Sequence, residues 1–376
     1  MADEAKDGRG LGTGPMLLIG GAAFVLTMAG LQQVGNIVGP VFLALTLAIT
    51  VRPVTHWFAE RGAPGWVGTV AVLLILYVAL LGMVFALGAS IAQLATTLPD
   101  YSDRFTELYQ QALGQLTHLG VSTTALTNFQ NQFNFSSILG VLQTLLGQVQ
   151  SVTTGLLFVL LSLAFLVLDT ADLSARTAAL HRARPHLVDA ISDFAWRVRR
   201  YWLFSAIFGV ILAVGDWIAL VVLGIPFPLT WAVVAFICNF IPNIGFVVAV
   251  IPPALLALLV HGPREAIIVL VAYVLISFVV QTLLLPKFMG DAVGLNTTTT
   301  FVSLVFWAGI IGGLGAVLAI PLTLFVKAVV IDSTPRLAWL GSFLSTDAAV
   351  RHGGVRPVTP SVSLRRPRRD RAGRAR

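Results

Sequence analysis

The chain has 376 residues, of which 57% are hydrophobic and 11% charged, and its mean hydropathy is +0.87. Soluble domains carry roughly 25% charged residues, so this chain has too little polar surface to cover its apolar volume in water. The composition predicts a polytopic membrane protein and excludes a nucleic-acid enzyme, a secreted disulfide scaffold and a disordered protein. The single cysteine, Cys238, forbids an intramolecular disulfide and a cysteine-based metal cage.

The net charge of +7 is concentrated at the carboxyl end, where nine of the 24 basic residues lie between Arg351 and Arg376. This composition predicts a disordered tail that faces anionic lipid headgroups or solvent. No aromatic residues are interleaved for base stacking, so nucleic acid is not a predicted partner.

A helix needs about 20 apolar residues to cross the hydrocarbon of a bilayer. The apolar segments predict an all-α protein with about eight transmembrane helices: 11–33, 34–51, 66–92, 152–168, 203–225, 229–260, 265–285 and 300–327. The first two are the weakest, because polar residues crowd their junction and Pro40 interrupts the second. Whether these two cross or form a shallow hairpin is left open.

The predicted spans divide the chain into seven regions. In order they are a cytoplasmic tail (1–14), helices 1–3 (15–92), an extracytoplasmic amphipathic region (93–150), helix 4 (151–169), a cytoplasmic basic segment (170–202), helices 5–8 (203–330) and an arginine-rich cytoplasmic tail (331–376). Outside the tail, basic residues cluster in the loops assigned to the inside. This asymmetry predicts a multi-pass membrane protein with both termini in the cytoplasm.

Segment 229–260 is too long for one straight crossing, because its helix would measure roughly 48 Å against about 30 Å of hydrocarbon. Pro242 removes a helical hydrogen bond, so we expect a break near 241–245. The segment could cross once as two half-helices or enter and return. The arginine distribution favours the crossing, because a re-entrant segment would place the arginine tail outside.

Two stretches outside the spans have an amphipathic pattern. In 94–149, apolar residues recur at steps of three and four beside polar faces rich in Gln, Thr and Asn. These helices are predicted to lie on the outer surface or pack as a cap, or else to form an oligomer contact or a lid. In 187–200, apolar residues alternate with Asp193 and arginines, which predicts an inner-surface helix beside anionic lipid.

No catalytic constellation, metal-ligand spacing or nucleotide loop is present in the sequence, and no cofactor or enzyme activity is predicted. Asp216 is the one acid deep inside a predicted span. A charged carboxylate at that depth costs at least roughly 2.5–3.5 kcal/mol, so Asp216 should face protein or water. It is either a proton- or cation-binding carboxyl group, or a protonated acid bonded to a neighbouring helix or lying near the outer interface.

The break near Pro242 is the second candidate site. Interrupted membrane helices free backbone groups that transporters use to hold ions and substrates, and Asn239 and Asn243 add side-chain donors and acceptors there. The alternative is a structural kink without a ligand. In the last span, Gly309 and Gly313 allow close helix approach, either as packing within one protomer or as a sliding interface, and Pro321 is predicted to kink the inner third.

Three segments in order resemble the autoinducer-2 exporter family. They are the segment 239–256, which begins Asn-Phe-Ile-Pro-Asn-Ile-Gly and contains an Ile-Pro-x-x-Gly motif, Pro-Lys-Phe-Met-Gly-Asp-Ala-Val-Gly-Leu at 286–295, and the glycine-rich stretch 309–321. The resemblance covers roughly residues 15–345. This chain has Asn296 and Thr297 where many relatives carry His-Pro, which weakens any transfer of substrate contacts in that loop.

The resemblance implies an all-helical, homo-oligomeric inner-membrane transporter without an ATPase subunit. The residues that it carries over lie in the matching motifs: Pro242, Gly245, Pro286, Gly290, Asp291, Gly294, Gly313 and Pro321. Family members are described as exporters of a furanone quorum signal or as sodium/proton antiporters.

We therefore expect a secondary transporter that exports a small polar solute or exchanges a monovalent cation for protons. The ligand would lie at the break, around Asn239–Gly245, with Asp216 as a possible coupling group and Pro321 near a gate. A passive oligomeric pore and a membrane scaffold are the alternatives.

Overall fold

The computed structural model describes residues 13–62, 64–118, 135–168, 173–242, 244–285 and 294–334, and all regular elements in these ranges are helical. Four helical stretches are long and apolar enough to cross a membrane: Gly35–Thr55, Trp66–Leu108, Pro185–Val222 and Pro263–Leu284. Five shorter apolar helices accompany them. The prediction of an all-α polytopic membrane protein is confirmed.

The first two helices are separated by a bend. Helix α1 (Thr13–Gln33) is followed after one residue by α2 (Gly35–Glu60), and the amide of that residue, Val34, still donates to the Gly30 carbonyl at 3.4 Å. No loop therefore separates the two predicted spans. Helix α2 packs against the later helices α3 (Gly65–Thr97) and α5 (Phe135–Leu168).

The predicted outer region begins as a continuation of a membrane helix. Helix α3 (Gly65–Thr97) leads through a 3₁₀ turn (Leu98–Tyr101) into α4 (Ser102–His118), and α5 (Phe135–Leu168) returns the chain. Leu98 is buried against Leu259. The start of this region thus covers one end of a later helix, as a cap would, and its part at 119–134 lies outside the described residues.

The basic segment is not a separate surface helix. After α6 (Leu173–Ala183), helix α7 runs unbroken from Pro185 to Val222 and includes the predicted inner-surface stretch. Phe194 and Val198 are buried in the main core, and the Phe194 ring meets the Phe325 ring edge-on at 5.5 Å. These apolar residues therefore pack on protein, where the sequence predicted lipid.

The predicted span 229–260 forms a helical hairpin, which we call hairpin A. It consists of α8 (Pro228–Cys238) and α9 (Gly245–Val260), roughly 16 and 24 Å long, and each is shorter than the hydrocarbon is thick. Ala235 and Cys238 are buried against Ala249, which requires the chain to reverse between them. The structure thus replaces the predicted single crossing with a segment that enters and returns.

The predicted span 300–327 also reverses, and we call it hairpin B. Helix α11 (Thr297–Ile311) ends at Gly312, whose φ of +75° is a left-handed conformation that glycine adopts freely. Helices α12 (Gly313–Val317) and α13 (Ala319–Val326) then run back along α11. Contacts across the reversal include the hydrogen bond from the Ser303 hydroxyl to the Ala319 carbonyl at 2.8 Å.

The two hairpins enter from opposite ends of the molecule. At one end, the residues before and after hairpin A lie together, since a Cβ on Gly224 would be 4.0 Å from the His261 ring. At the other end, Gly294, which precedes hairpin B, lies against the Arg197 guanidinium. Helix α10 (Pro263–Ser277, continued by a π-helical stretch Phe278–Leu284) spans the distance between them.

Candidate functional site

A cavity of about 230 Å³ lies where the turn of hairpin A meets the rest of the protein. We call it the tip cavity. Helix α7, the end of α10 and Ile320 of hairpin B complete its wall. Its polar lining consists of two hydroxyl groups and two side-chain amides, from Tyr201, Ser205, Asn239 and Gln281, and no charged residue is among its lining residues.

Two hydrogen bonds attach hairpin A to α7 at this cavity. The Asn239 side-chain amide donates to the Ser205 carbonyl at 2.9 Å, and the Tyr201 hydroxyl donates to the Phe240 carbonyl at 3.3 Å. Ser205 lies roughly 25 Å along α7 from Val222, so the turn of hairpin A reaches deep into the membrane-spanning part of the protein. The Phe240 carbonyl in this turn therefore has a partner within the protein, as the bilayer requires of a freed backbone group.

Helix α10 contributes a second polar row. Tyr273, Ser277 and Gln281 follow one another at steps of four, which places them on one helix face. Gln281 belongs to the π-helical stretch, a wider helical turn that is frequent at functional sites. The row runs from Asp216 at one end to the tip cavity at the other.

Asp216 lines a second, smaller cavity of about 10 Å³, which is close to the space of one water molecule. The two cavities share Asn239, Phe246 and Gln281 in their walls. Asp216 and Tyr273 are 2% and 1% exposed. Neither the Asp216 Oδ1 nor the Tyr273 hydroxyl has a hydrogen-bond partner among the described residues.

The structure brings together four of the five residues predicted for the ligand path. Asn239 and Pro242 line the tip cavity, and Asp216 and Gly245 line the smaller one beside it. Gly245 has a geometric reason to be glycine, because a Cβ there would collide with the carbonyl of Cys238 on the other leg of the hairpin. The fifth residue, Asn243, lies outside the described residues.

The residues predicted for gating are dispersed. Gly309 and Gly313 are exposed, and no described atom lies within 4 Å of a Cβ built on either, although the Gln32 side-chain amide donates to the Gly309 carbonyl at 3.5 Å. Pro321 is buried in the first turn of α13, where proline fits, and kinks no continuous span. Gly294 has φ +64° and makes room for Arg197. Pro286, Gly290 and Asp291 lie outside the described residues.

Tyr201, Ser205, Tyr273, Ser277 and Gln281 were missed as site residues in the sequence analysis. A usable signal was present, because each is a polar residue within an apolar helix and they recur at helical spacing. Asn296, noted in the sequence as a departure from the family pattern, caps α11 by accepting from the Thr299 amide at 2.7 Å. Among the described residues, no group of three or more His, Cys, Asp or Glu could hold a metal ion.

Apolar helices long enough to cross a bilayer, two helical hairpins and a polar cavity inside the helical assembly define an integral membrane protein with the architecture of a transporter. The chain belongs to the AI-2E family of transporters, whose model matches residues 22–334.

Three bacterial relatives are similar to this chain over most of their length. The Escherichia coli K12 protein named "Putative transport protein YhhT" is 29% identical over 325 residues, which are 84% of this chain and 90% of that protein. "AI-2 transport protein TqsA" of the same organism is 27% identical, over 81% of this chain and 88% of that protein. A Haemophilus influenzae protein named "Putative transport protein" is 26% identical, over 85% of this chain and 93% of that protein.

Proposed function

We propose that this protein is a secondary transporter that binds a small polar solute in the tip cavity. The observation that carries the proposal is the position of the cavity between two hairpins that enter from opposite ends of the molecule. Short half-helices that end near the middle of a membrane supply binding groups in many transporters. Movement of hairpin A would open the cavity toward one end, and movement of hairpin B would open it toward the other.

The lining of the cavity favours a neutral solute that carries several hydroxyl groups. The two hydroxyl groups and the two amides can each donate and accept hydrogen bonds. No charged side chain is among the lining residues, so a charged solute would find no ion-pair partner there. A volume of about 230 Å³ is small for a ligand site, which sets an upper bound on solute size. The name of the relative TqsA makes autoinducer-2 the first solute to test.

The test is uptake of autoinducer-2 into proteoliposomes of the purified protein, measured for wild type and for Gln281→Leu. Loss of one polar contact from the cavity lining should lower solute affinity about tenfold. Thr282→Val, an exposed neighbour on the same helix, is the matched control and should transport normally. Equal uptake by wild type and Gln281→Leu would contradict the proposed site. Uptake that never exceeds the imposed solute gradient would indicate a passive pore.

Exchange of protons for a monovalent cation is a second candidate function. It is favoured by Asp216, a buried carboxyl group without a described partner, which faces the unpartnered Tyr273 hydroxyl across a water-sized space. Ionisable groups inside membrane spans commonly mark ion and proton pathways. Because the two cavities share wall residues, the proton or cation could also drive the solute.

A pH-sensitive dye inside proteoliposomes tests this candidate under an imposed sodium gradient. Asp216→Asn should abolish a sodium-driven pH change, whereas Asp189→Asn, an exposed acid on the same helix, should leave it intact. A flat trace from the wild type excludes sodium/proton exchange and leaves solute transport as the function.

A further inference from the structure

An open cavity of about 520 Å³ lies beside the amino-terminal half of α7 and is lined by two arginines. Arg52 of α2 and Arg199 of α7 face it, together with Pro53, Trp57 and Glu60. The Arg199 Nε donates to the Ile49 carbonyl at 3.4 Å, which orients its guanidinium toward α2. We call this site the arginine-pair cavity.

The two arginines form an unbalanced pair of positive charges. Arg52 and Arg199 are close enough to repel each other, and neither pairs with a carboxylate among the described residues. Arg197, half a turn away on α7, shows the contrast, because its Nε lies 2.7 Å from the Asp193 carboxylate. A folded protein that holds two unpaired guanidinium groups beside a single carboxylate gains stability when an anion binds between the two cations.

The cavity lies at the depth of lipid headgroups. Arg199 is roughly 34 Å along α7 from Val222, which is close to the thickness of the hydrocarbon. Trp57 is 48% exposed, and the Arg61 guanidinium lies 3.5 Å above its ring. Tryptophan and arginine in this arrangement are typical of the membrane interface.

We propose that the arginine-pair cavity binds the phosphodiester group of a membrane phospholipid from the leaflet at the amino-terminal end of α7. The two guanidinium groups donate hydrogen bonds to the phosphate oxygens, a geometry for which arginine is well suited. Glu60, the one carboxylate in the lining, accepts from donors on the headgroup, either an ethanolamine ammonium or glycerol hydroxyls. The lipid connects α2 to α7 two residues before Tyr201 of the tip cavity.

The test is native mass spectrometry of the purified full chain with added phosphatidylethanolamine or phosphatidylglycerol. The double variant R52Q/R199Q should retain about tenfold less lipid than wild type, since it loses the charge-assisted hydrogen bonds. R182Q/R184Q is the matched control, because it removes the same charge from exposed positions near the same end of α7 and should retain lipid normally. R52K/R199K, which preserves the charge, should recover part of the binding if the glutamine variant is poorly folded.

A second measurement separates the two sources of phosphate. Added phospholipid should raise the unfolding temperature of wild type and of the control, and that of R52Q/R199Q less. Inorganic phosphate at the same concentration should have no such effect. Equal lipid retention by R52Q/R199Q and wild type would overturn the proposal, and so would a full stabilising effect from inorganic phosphate alone. A further comparison with Glu60→Gln identifies the headgroup, since only an ammonium loses an ionic contact.

Discussion

Hairpins A and B reverse the chain inside the protein with the same local geometry. Each reverses a short apolar helix inside the protein, and in each the returning leg has a glycine against a backbone carbonyl of the first leg. Gly245 lies against the Cys238 carbonyl in hairpin A, and Gly315 lies against the Trp307 carbonyl in hairpin B. Close approach without a Cβ lets two helix ends meet where no water is available to satisfy an open loop.

The hairpins differ in how their polar groups are used. Hairpin B satisfies its polar side chains internally, since the Thr323 hydroxyl accepts from the Trp307 indole at 2.9 Å and pairs with the Ser303 hydroxyl. Hairpin A directs the Asn239 side chain outward to α7 and to the tip cavity. A polar group that is bonded within its own element stabilises that element, whereas one at a boundary between elements can exchange its partner for a solute. Hairpin A is therefore the better candidate for direct contact with the solute.

The largest expected effect comes from removing the close approach that both hairpins share. Gly245→Ala should lower the free energy of unfolding by about 3 kcal/mol or more, because the added methyl collides with backbone rather than with a flexible side chain. Thermal unfolding in detergent measures this effect. Gly309→Ala, a helical glycine with open space around it, is the control and should be neutral or slightly stabilising. An unchanged unfolding temperature for Gly245→Ala would show that the hairpin turn relaxes freely.

The polar bonds inside hairpin B give the next largest effect. Thr323→Val keeps the shape of the side chain but leaves the buried Trp307 indole N–H without its acceptor, which should cost about 1–3 kcal/mol. Transport per folded molecule should stay within twofold of wild type, since these groups do not line the tip cavity. Thermal unfolding and proteoliposome uptake on the same preparation separate the two outcomes, with the exposed Thr298→Val as control. A large loss of transport without a loss of stability would place hairpin B at the solute.

The sequence predicted which segments form apolar helices, but it did not predict the direction in which the chain runs through two of them. Composition and apolar length predicted membrane helices, and Pro242 predicted the break in hairpin A. Composition and a proline do not show whether the chain continues or reverses, because a kinked crossing and a hairpin can have the same sequence of apolar residues around a break. The last predicted span has no proline at its reversal. In the structure, the positive φ of Gly312 and the return of α12 and α13 along α11 distinguish a hairpin from a continuous helix.

The candidate site was also predictable only in part, because the sequence does not show which distant segments come together. Asp216 and Asn239 were identified because each is unusual by itself, in a span or beside a proline. Their neighbours Ser205 and Gln281 come from helices that the chain order separates by many residues, and only the reversal of hairpin A brings them to one cavity. Single residues can be ranked from composition, but a shared cavity depends on tertiary contacts between distant segments.

A smaller effect is expected where hairpin A rests on α7. A methyl group on Gly209 would be 3.0 Å from the Asn239 side-chain nitrogen and 3.1 Å from the Phe236 ring, so Gly209→Ala should displace the hairpin by a few tenths of an ångström. We expect a stability loss of about 1–2 kcal/mol and a severalfold loss of uptake. Gly82→Ala on α3, where no described atom is within 4 Å, is the control. Normal uptake by Gly209→Ala would mean that the contact between hairpin A and α7 at Gly209 does not affect solute transport.

The smallest effect concerns one hydroxyl group at the turn of hairpin A, and the chain offers a close control for it. Tyr201→Phe removes the donor to the Phe240 carbonyl, and Tyr77→Phe removes a donor to the Leu160 carbonyl at 2.6 Å between α3 and α5. Each substitution should cost about 1 kcal/mol of stability, because each deletes one side-chain to backbone hydrogen bond. Only Tyr201→Phe should also raise the KM for the solute severalfold, since only that hydroxyl lines the tip cavity. If both variants change KM equally, stability alone sets transport. If Tyr201→Phe alone does so, the contact between hairpin A and α7 belongs to the binding site.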